Sequence, residues 1–227
     1  MRKRKHDLLR VQELEVFWSY LITHVFPIEP EPFNLFNPYN AKVDLQYDLP
    51  NAHLIRRRNL WNYFNSLENK PDLLLIGEAP GYQGVRFSGV PFTSERQLCD
   101  CELRFAGQQS GRDRLHWTPT SNKFWKVMLP YHERFLAWNS IPFHPWRDNP
   151  LSNRPPRLAE LRAYADILQK LWETLKPEKI VAVGNKAERA LRDLNIDYAK
   201  VTHPAARGKH VGKFEKEILE IIGSCKT

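Results

Sequence analysis

Apolar residues recur at Leu8, Val11, Leu14, Phe17, Leu21 and Val25, a spacing that predicts a helix over about residues 7–25. The stretch "FPIEPEPFNLFNPYN" interrupts it with prolines and asparagines and reads as a loop. A second helix is expected over about 51–69, carrying the basic run Arg56 to Arg58. Beyond it the period changes. Four short, mostly apolar segments read as strands: "DLLLIG" (72–77), "RFLAWNSI" (134–141), "KIVAVG" (179–184) and "DYAKVTHP" (197–204). Between and after them lie the helical patterns "SNKFWKVML", "RLAELRAYADILQKLWETL", "NKAERALRDL" and a last one over about 212–223.

Strands that are apolar throughout, alternating with amphipathic helices, belong in a parallel sheet covered on both faces. The expected fold is therefore α/β, a three-layer α/β/α arrangement around a four-stranded parallel sheet. The 227 residues are read as a single domain, with an N-terminal helical extension over about 1–50 and a motif-bearing core over about 70–223. Ligands of such sheets bind where strands hand over to loops at their C-terminal ends.

Those ends are where the unusual residues fall. The first is followed by "GEAPGYQGVRFSGVPF" (77–92). It has neither the G-x-G-x-x-G of a dinucleotide site nor the G-K-[ST] of a P-loop, and reads as a rigid backbone wall presenting Phe92. After the second strand comes Asn139, which either caps a turn or offers its amide to a carbonyl and an imide N–H of a pyrimidine edge. After the fourth comes "THPAARGKH", where His203 is either a packed core histidine or part of a small basic turn. A flat aromatic, an amide, a histidine and a basic turn on one sheet edge are the set needed to hold an extruded base.

The net charge of +8 adds a polyanionic partner to this picture, because clustered Lys and Arg release counterions from phosphates. Three cysteines, Cys99, Cys101 and Cys225, are too few for an iron–sulfur cluster and lack zinc-hairpin spacing, so neither metal nor other cofactor is expected. No apolar run reaches membrane-spanning length, and "MRKRKHDLLR" lacks the apolar centre of a secretion signal. The expectation is a cytoplasmic or nuclear monomer with no membrane partner.

These residues resemble the motifs of the uracil-DNA glycosylase superfamily, over roughly 70–210. "GEAPGYQGVRFSGVPF" is similar to its first motif, with the glycine-to-aromatic spacing of the single-strand-selective monofunctional branch and a "GEAPG" core like the thermophilic branch. "WNSIPFHP" resembles the second motif and "HPAARG" the third, in family order. The resemblance implies a monofunctional glycosylase that extrudes uracil, or a related deaminated base, from single- or double-stranded DNA and hydrolyses its glycosidic bond in base excision repair. It implies Glu78 and His203 as catalytic residues, Glu78 for the attacking water and His203 for charge on the uracil O2. Base binding would fall to Gly77, Ala79, Pro80, Gly81, Tyr82, Phe92 and Asn139, with Phe92 stacking, Asn139 reading the polar edge and Tyr82 standing where a thymine methyl would clash. DNA contacts would fall to Arg86, Pro204, Arg207 and Lys209, with Arg207 as the duplex wedge and loops near Pro142, Pro145, Pro155 and Pro204 gripping phosphates.

The chain departs from the family pattern in two places. Ala79 stands where many members carry Asp or Asn, which leaves Glu78 either as the water-positioning group or as a structural loop carboxylate. The thermophilic branch's cluster cysteines are absent. A non-catalytic nucleic-acid-binding member is the alternative reading. A metal-dependent nucleotide or sugar-phosphate enzyme lacks an acidic pair here, and a zinc base deaminase would need H-x-E followed by P-C-x-x-C.

Overall fold

The computed structural model describes residues 11–30, 34–100 and 103–225; Leu8 and Cys101 lie outside them. Four parallel strands form the sheet: β2 (Leu73–Gly77), β3 (Phe135–Asn139), β5 (Lys179–Val183) and β6 (Ala199–Val201), in the order β3-β2-β5-β6. Because the strands are parallel, their C-terminal ends lie along one edge. The register sets Gly77 beside Asn139 and Val183 beside Val201.

Alternation along β3 defines the layers. Trp138 points to one face, where its ring meets Phe17 of α1 (Gln12–Tyr20) edge-on at 5.4 Å and Phe64 of α2 (Ala52–Asn65) at 6.4 Å. Phe135 points to the other, meeting Phe124 of α5 (Pro119–Met128) at 5.7 Å; Phe124 in turn meets Phe214 of α9 (Lys213–Ser224) at 5.9 Å. The sheet is thus helix-covered on both sides, as its uninterrupted apolar strands require. β3 is an edge strand, and one N–H on its open side, that of Ala137, donates to the Tyr63 hydroxyl at 2.8 Å.

Local chemistry explains the helix ends. Thr118 caps α5, its hydroxyl accepting the Ser121 N–H at 3.0 Å, with Pro119 at the first helical position. Gly184 precedes α8 (Asn185–Asp193) at φ +89°, a value that favours glycine.

Several expectations are revised. The first helix continues past Tyr20 as a π-turn over Leu21–Val25. The pattern over 157–175 is two helices, α6 (Leu158–Ala163) and α7 (Ala165–Leu175), separated at Tyr164, whose ring stands edge-on to Phe143 at 4.7 Å. The stretch expected as a loop contains β1 (Leu35–Phe36), which pairs antiparallel with β4 (His144–Pro145). The loop after β2 holds two short helices, α3 (Val85–Ser88) and α4 (Glu95–Cys99). These pieces are too short for periodicity to reveal, and tertiary contacts fix them.

Candidate active site at the carboxyl edge of the sheet

A cavity of about 310 Å³ opens at the C-terminal edge of the sheet. Its lining combines Glu78, Ala79 and Gly81 after β2, Phe92, Asn139 at the end of β3, and His203 after β6. The three expected motifs each contribute to this cavity, while Arg207 and Lys209 of the basic turn do not line it.

Gly77 explains how closely they approach. A Cβ at this position would lie 2.7 Å from Phe92 Cζ and 2.8 Å from Asn139 Oδ1. Only a hydrogen fits, so the ring and the amide close over the strand end. Ser140 locks the two strands at this point, its N–H and hydroxyl both donating to the Gly77 carbonyl at 2.9 and 2.8 Å. Phe92 adopts φ +54°, a left-handed conformation that is costly for a bulky side chain. One face of its ring stacks on Phe124, with centroids 4.4 Å apart and planes 11° from parallel. Asn139 is only 6% exposed, and it lines the cavity. Its donor and its acceptor are open to a ligand in the cavity.

His203 is half-buried, and burial holds its imidazole below the ordinary pKa, so the ring is neutral near pH 7. The Ala205 N–H donates to Nδ1 at 3.2 Å, which leaves the ring proton on Nε2. The result is a neutral N–H donor. Glu78 behaves in the opposite sense: burial raises its carboxyl pKa, while the Lys186 ammonium opposes the shift.

The remaining expected residues divide. Pro80 lines an adjoining cavity of about 320 Å³, and its carbonyl lies 2.7 Å from Nδ1 of buried His144. Tyr82 lines neither cavity, so it does not stand beside the base position as expected; its N–H donates to Asn153 Oδ1 at 2.9 Å, and Gln83, Gly84 and Val85 line the cavity next to it in sequence. Arg207 and Lys209 are exposed on the turn around the 3₁₀ segment Gly208–His210.

Arg86 and Pro204 are corrections. Arg86 is fully buried, ion-paired with Asp48 and flanked by the Phe36 and Phe87 rings at 4.3 and 4.1 Å, so it cannot reach DNA. Pro204 is buried too, so its ring is not a DNA-contacting surface; of the other prolines in the loops expected to grip phosphates, Pro142 and Pro145 are buried and Pro155 is exposed.

Sequence reasoning missed Thr93, Thr118, Ser121 and Asn153, all of which line the cavity. Thr118 had a visible signal, a Thr-Pro pair before an apolar helical pattern. Asn153 had none. Its loop is held by Arg154, which forks onto buried Glu160 at 2.7 and 2.6 Å and donates to the Trp146 and Asn34 carbonyls. Among the described residues no group of His, Cys, Asp and Glu could hold a metal ion. A roomier cavity of about 530 Å³, lined by Leu35, Phe36, Trp146 and Pro150 among others, contains none of the expected site residues.

Comparison with known proteins bears on the family and the fold. The family model described as the uracil DNA glycosylase superfamily matches residues 64–223. The wild-type SMUG2 structure from Pedobacter heparinus is similar in fold, with a TM-score of 0.60 at 18% identity, covering 93% of this chain and 97% of that one. No curated protein matches the chain in sequence.

Proposed function

Because this chain belongs to the uracil-DNA glycosylase superfamily, whose members are DNA glycosylases, we propose that it excises uracil, or a related deaminated base, from DNA by monofunctional hydrolysis. The observation that carries this reading is the Asn139 amide, open to the cavity and beside the Phe92 ring. An amide offers one donor and one acceptor group side by side, matching the carbonyl and imide N–H of uracil; cytosine reverses that pattern. The aromatic ring supplies the stacking surface for a base taken out of the duplex.

In the reaction the C1′–N1 bond breaks and its electron pair leaves with the base, spreading onto O2. The neutral His203 donates from Nε2 to that oxygen. A preorganised donor of this kind lowers a barrier by about 3–4 kcal/mol. Water adds its oxygen to C1′ and gives up a proton, which ionised Glu78 accepts. Ala79 has no polar side-chain atom for this task, so Glu78 carries the role. Arg207 and Lys209 face the DNA backbone, with Arg207 filling the space left by the extruded base.

The test is base release from oligonucleotides carrying uracil, hypoxanthine or xanthine, single-stranded and mispaired, comparing the wild type with Glu78→Gln. Release by the wild type is expected, with a loss of about a hundredfold or more in the variant. Its acidic limb in kcat/KM should lie above the ordinary carboxylate pKa, since activity disappears as pH falls through the raised Glu78 value. Lys186→Ala should move that limb to higher pH. No release of any base by the wild type would favour the binding-only reading that Ala79 motivates.

A further inference from the structure

Next to the base cavity runs a segment the expected motifs do not include, "RDRLHWT" (112–118). Its last residue, Thr118, lines the cavity, and Trp117 precedes it in the chain without itself lining the cavity. Trp117 is 43% exposed and Leu115 37%, and Arg112 and Arg114 are exposed beside them. Large exposed rings are unusual, since a tryptophan is normally largely buried.

The backbone beneath these side chains is firmly held. Buried Glu95 accepts the N–H groups of Ser110 and Gly111 at 2.7 and 2.9 Å through Oε1, and that of His116 at 3.4 Å through Oε2. The Arg112 N–H donates to the Tyr47 carbonyl at 2.9 Å, and the Arg96 N–H to the His116 carbonyl at 3.1 Å. The His116 ring stacks on Phe87 at 3.9 Å and 8°. A carboxylate, two anchoring carbonyls and a ring stack therefore fix the loop while its aromatic and cationic side chains point to water. Such preorganisation lowers the entropy lost when a ligand is bound.

We propose that residues 112–117 form a platform for unpaired nucleotides of the substrate strand beside the extruded base, with Trp117 stacking on one base and Arg112 and Arg114 holding phosphates. The proposal rests on the glycosylase reading in taking DNA as the ligand and in placing the platform beside an extruded base. Two cations against the single carboxylate of Asp113 favour a polyanion over an apolar protein surface. An exposed ring needs an exposed base face, which an intact duplex does not offer, so the ligand is single-stranded.

The experiment is fluorescence anisotropy with a short labelled oligonucleotide of ordinary bases, single-stranded and as its matched duplex. Trp117→Ala should weaken single-strand binding about tenfold, the size of one lost stack, and change duplex binding by less than about twofold. Trp117→Tyr should restore most of the loss. Arg112→Ala with Arg114→Ala should reduce the slope of log affinity against log salt by about 0.7 for each phosphate contact removed. Unchanged single-strand binding in Trp117→Ala, an equal loss on both forms, or no single-strand binding by the wild type would overturn the platform. Base release is read separately: its absence from the wild type would overturn the excision reading while the binding result stands.

Discussion

At Gly77 one hydrogen atom decides the distance between a stacking ring and a reading amide. The Gly77→Ala variant places a methyl 2.7 Å from Phe92 Cζ and 2.8 Å from Asn139 Oδ1, inside any normal contact. Strain of this sort costs about 1–3 kcal/mol. Because the displaced groups are those that would hold the base, the expected result is a lower Tm with base release reduced about tenfold or more. Affinity for undamaged DNA should change little. A variant that loses stability but keeps its rate would detach Phe92 and Asn139 from the chemistry. Phe92 adds a second local signature, since a bulky residue at φ +54° persists only where its surroundings hold it.

Short elements carry the clearest lesson about orientation. Arg86 lies in a four-residue helix whose side chains are all buried, so its guanidinium ends among Asp48, Phe36 and Phe87 rather than at the surface. Arg56 shares the same carboxylate. Burial pulls its pKa down to about 10, with Arg86 adding to the shift and Asp48 opposing it. Removing one member of a buried ionic cluster typically costs 3–5 kcal/mol. Arg86→Met is therefore expected to lower the denaturant midpoint by an amount worth about 3 kcal/mol, while the salt dependence of DNA binding stays as in the wild type. A shallower salt slope would return Arg86 to the DNA-contacting set.

For the molecule as a whole, buried His144 and half-buried His116 make stability depend on acid pH. Burial is the largest cause of the depression of His144 to about 4 and of His116 to about 4, with Arg114 and Arg86 adding to the second. In the unfolded chain both rings take a proton near their ordinary pKa of about 6.5, whereas the folded protein resists protonation until about pH 4. Stability from this source is complete above about pH 6.5 and is lost as pH falls towards 4. Tm measured across that window should decline, and His144→Gln should flatten part of the decline. A Tm independent of pH between about 6.5 and 4 would contradict this account.

The sequence by itself determined the four strands, the alternation with helices, and the placement of Glu78, Asn139 and His203 just at or beyond strand ends. Those signals are local: continuous apolar runs, glycine at a strand terminus and polar residues directly after it. Tertiary structure decided which of these residues meet, through the register that sets Gly77 beside Asn139 and the parallel order that brings His203 to the same edge. It also delivered Thr118 and Asn153 to the cavity from distant segments. Arg86 and Trp117 show why this part was not legible. A charged residue turned inward, where Asp48 compensates it, and an aromatic one turned outward, each against its own solvation preference. Only the neighbours supplied by the fold, a buried carboxylate for one and a firmly held loop for the other, fix those directions.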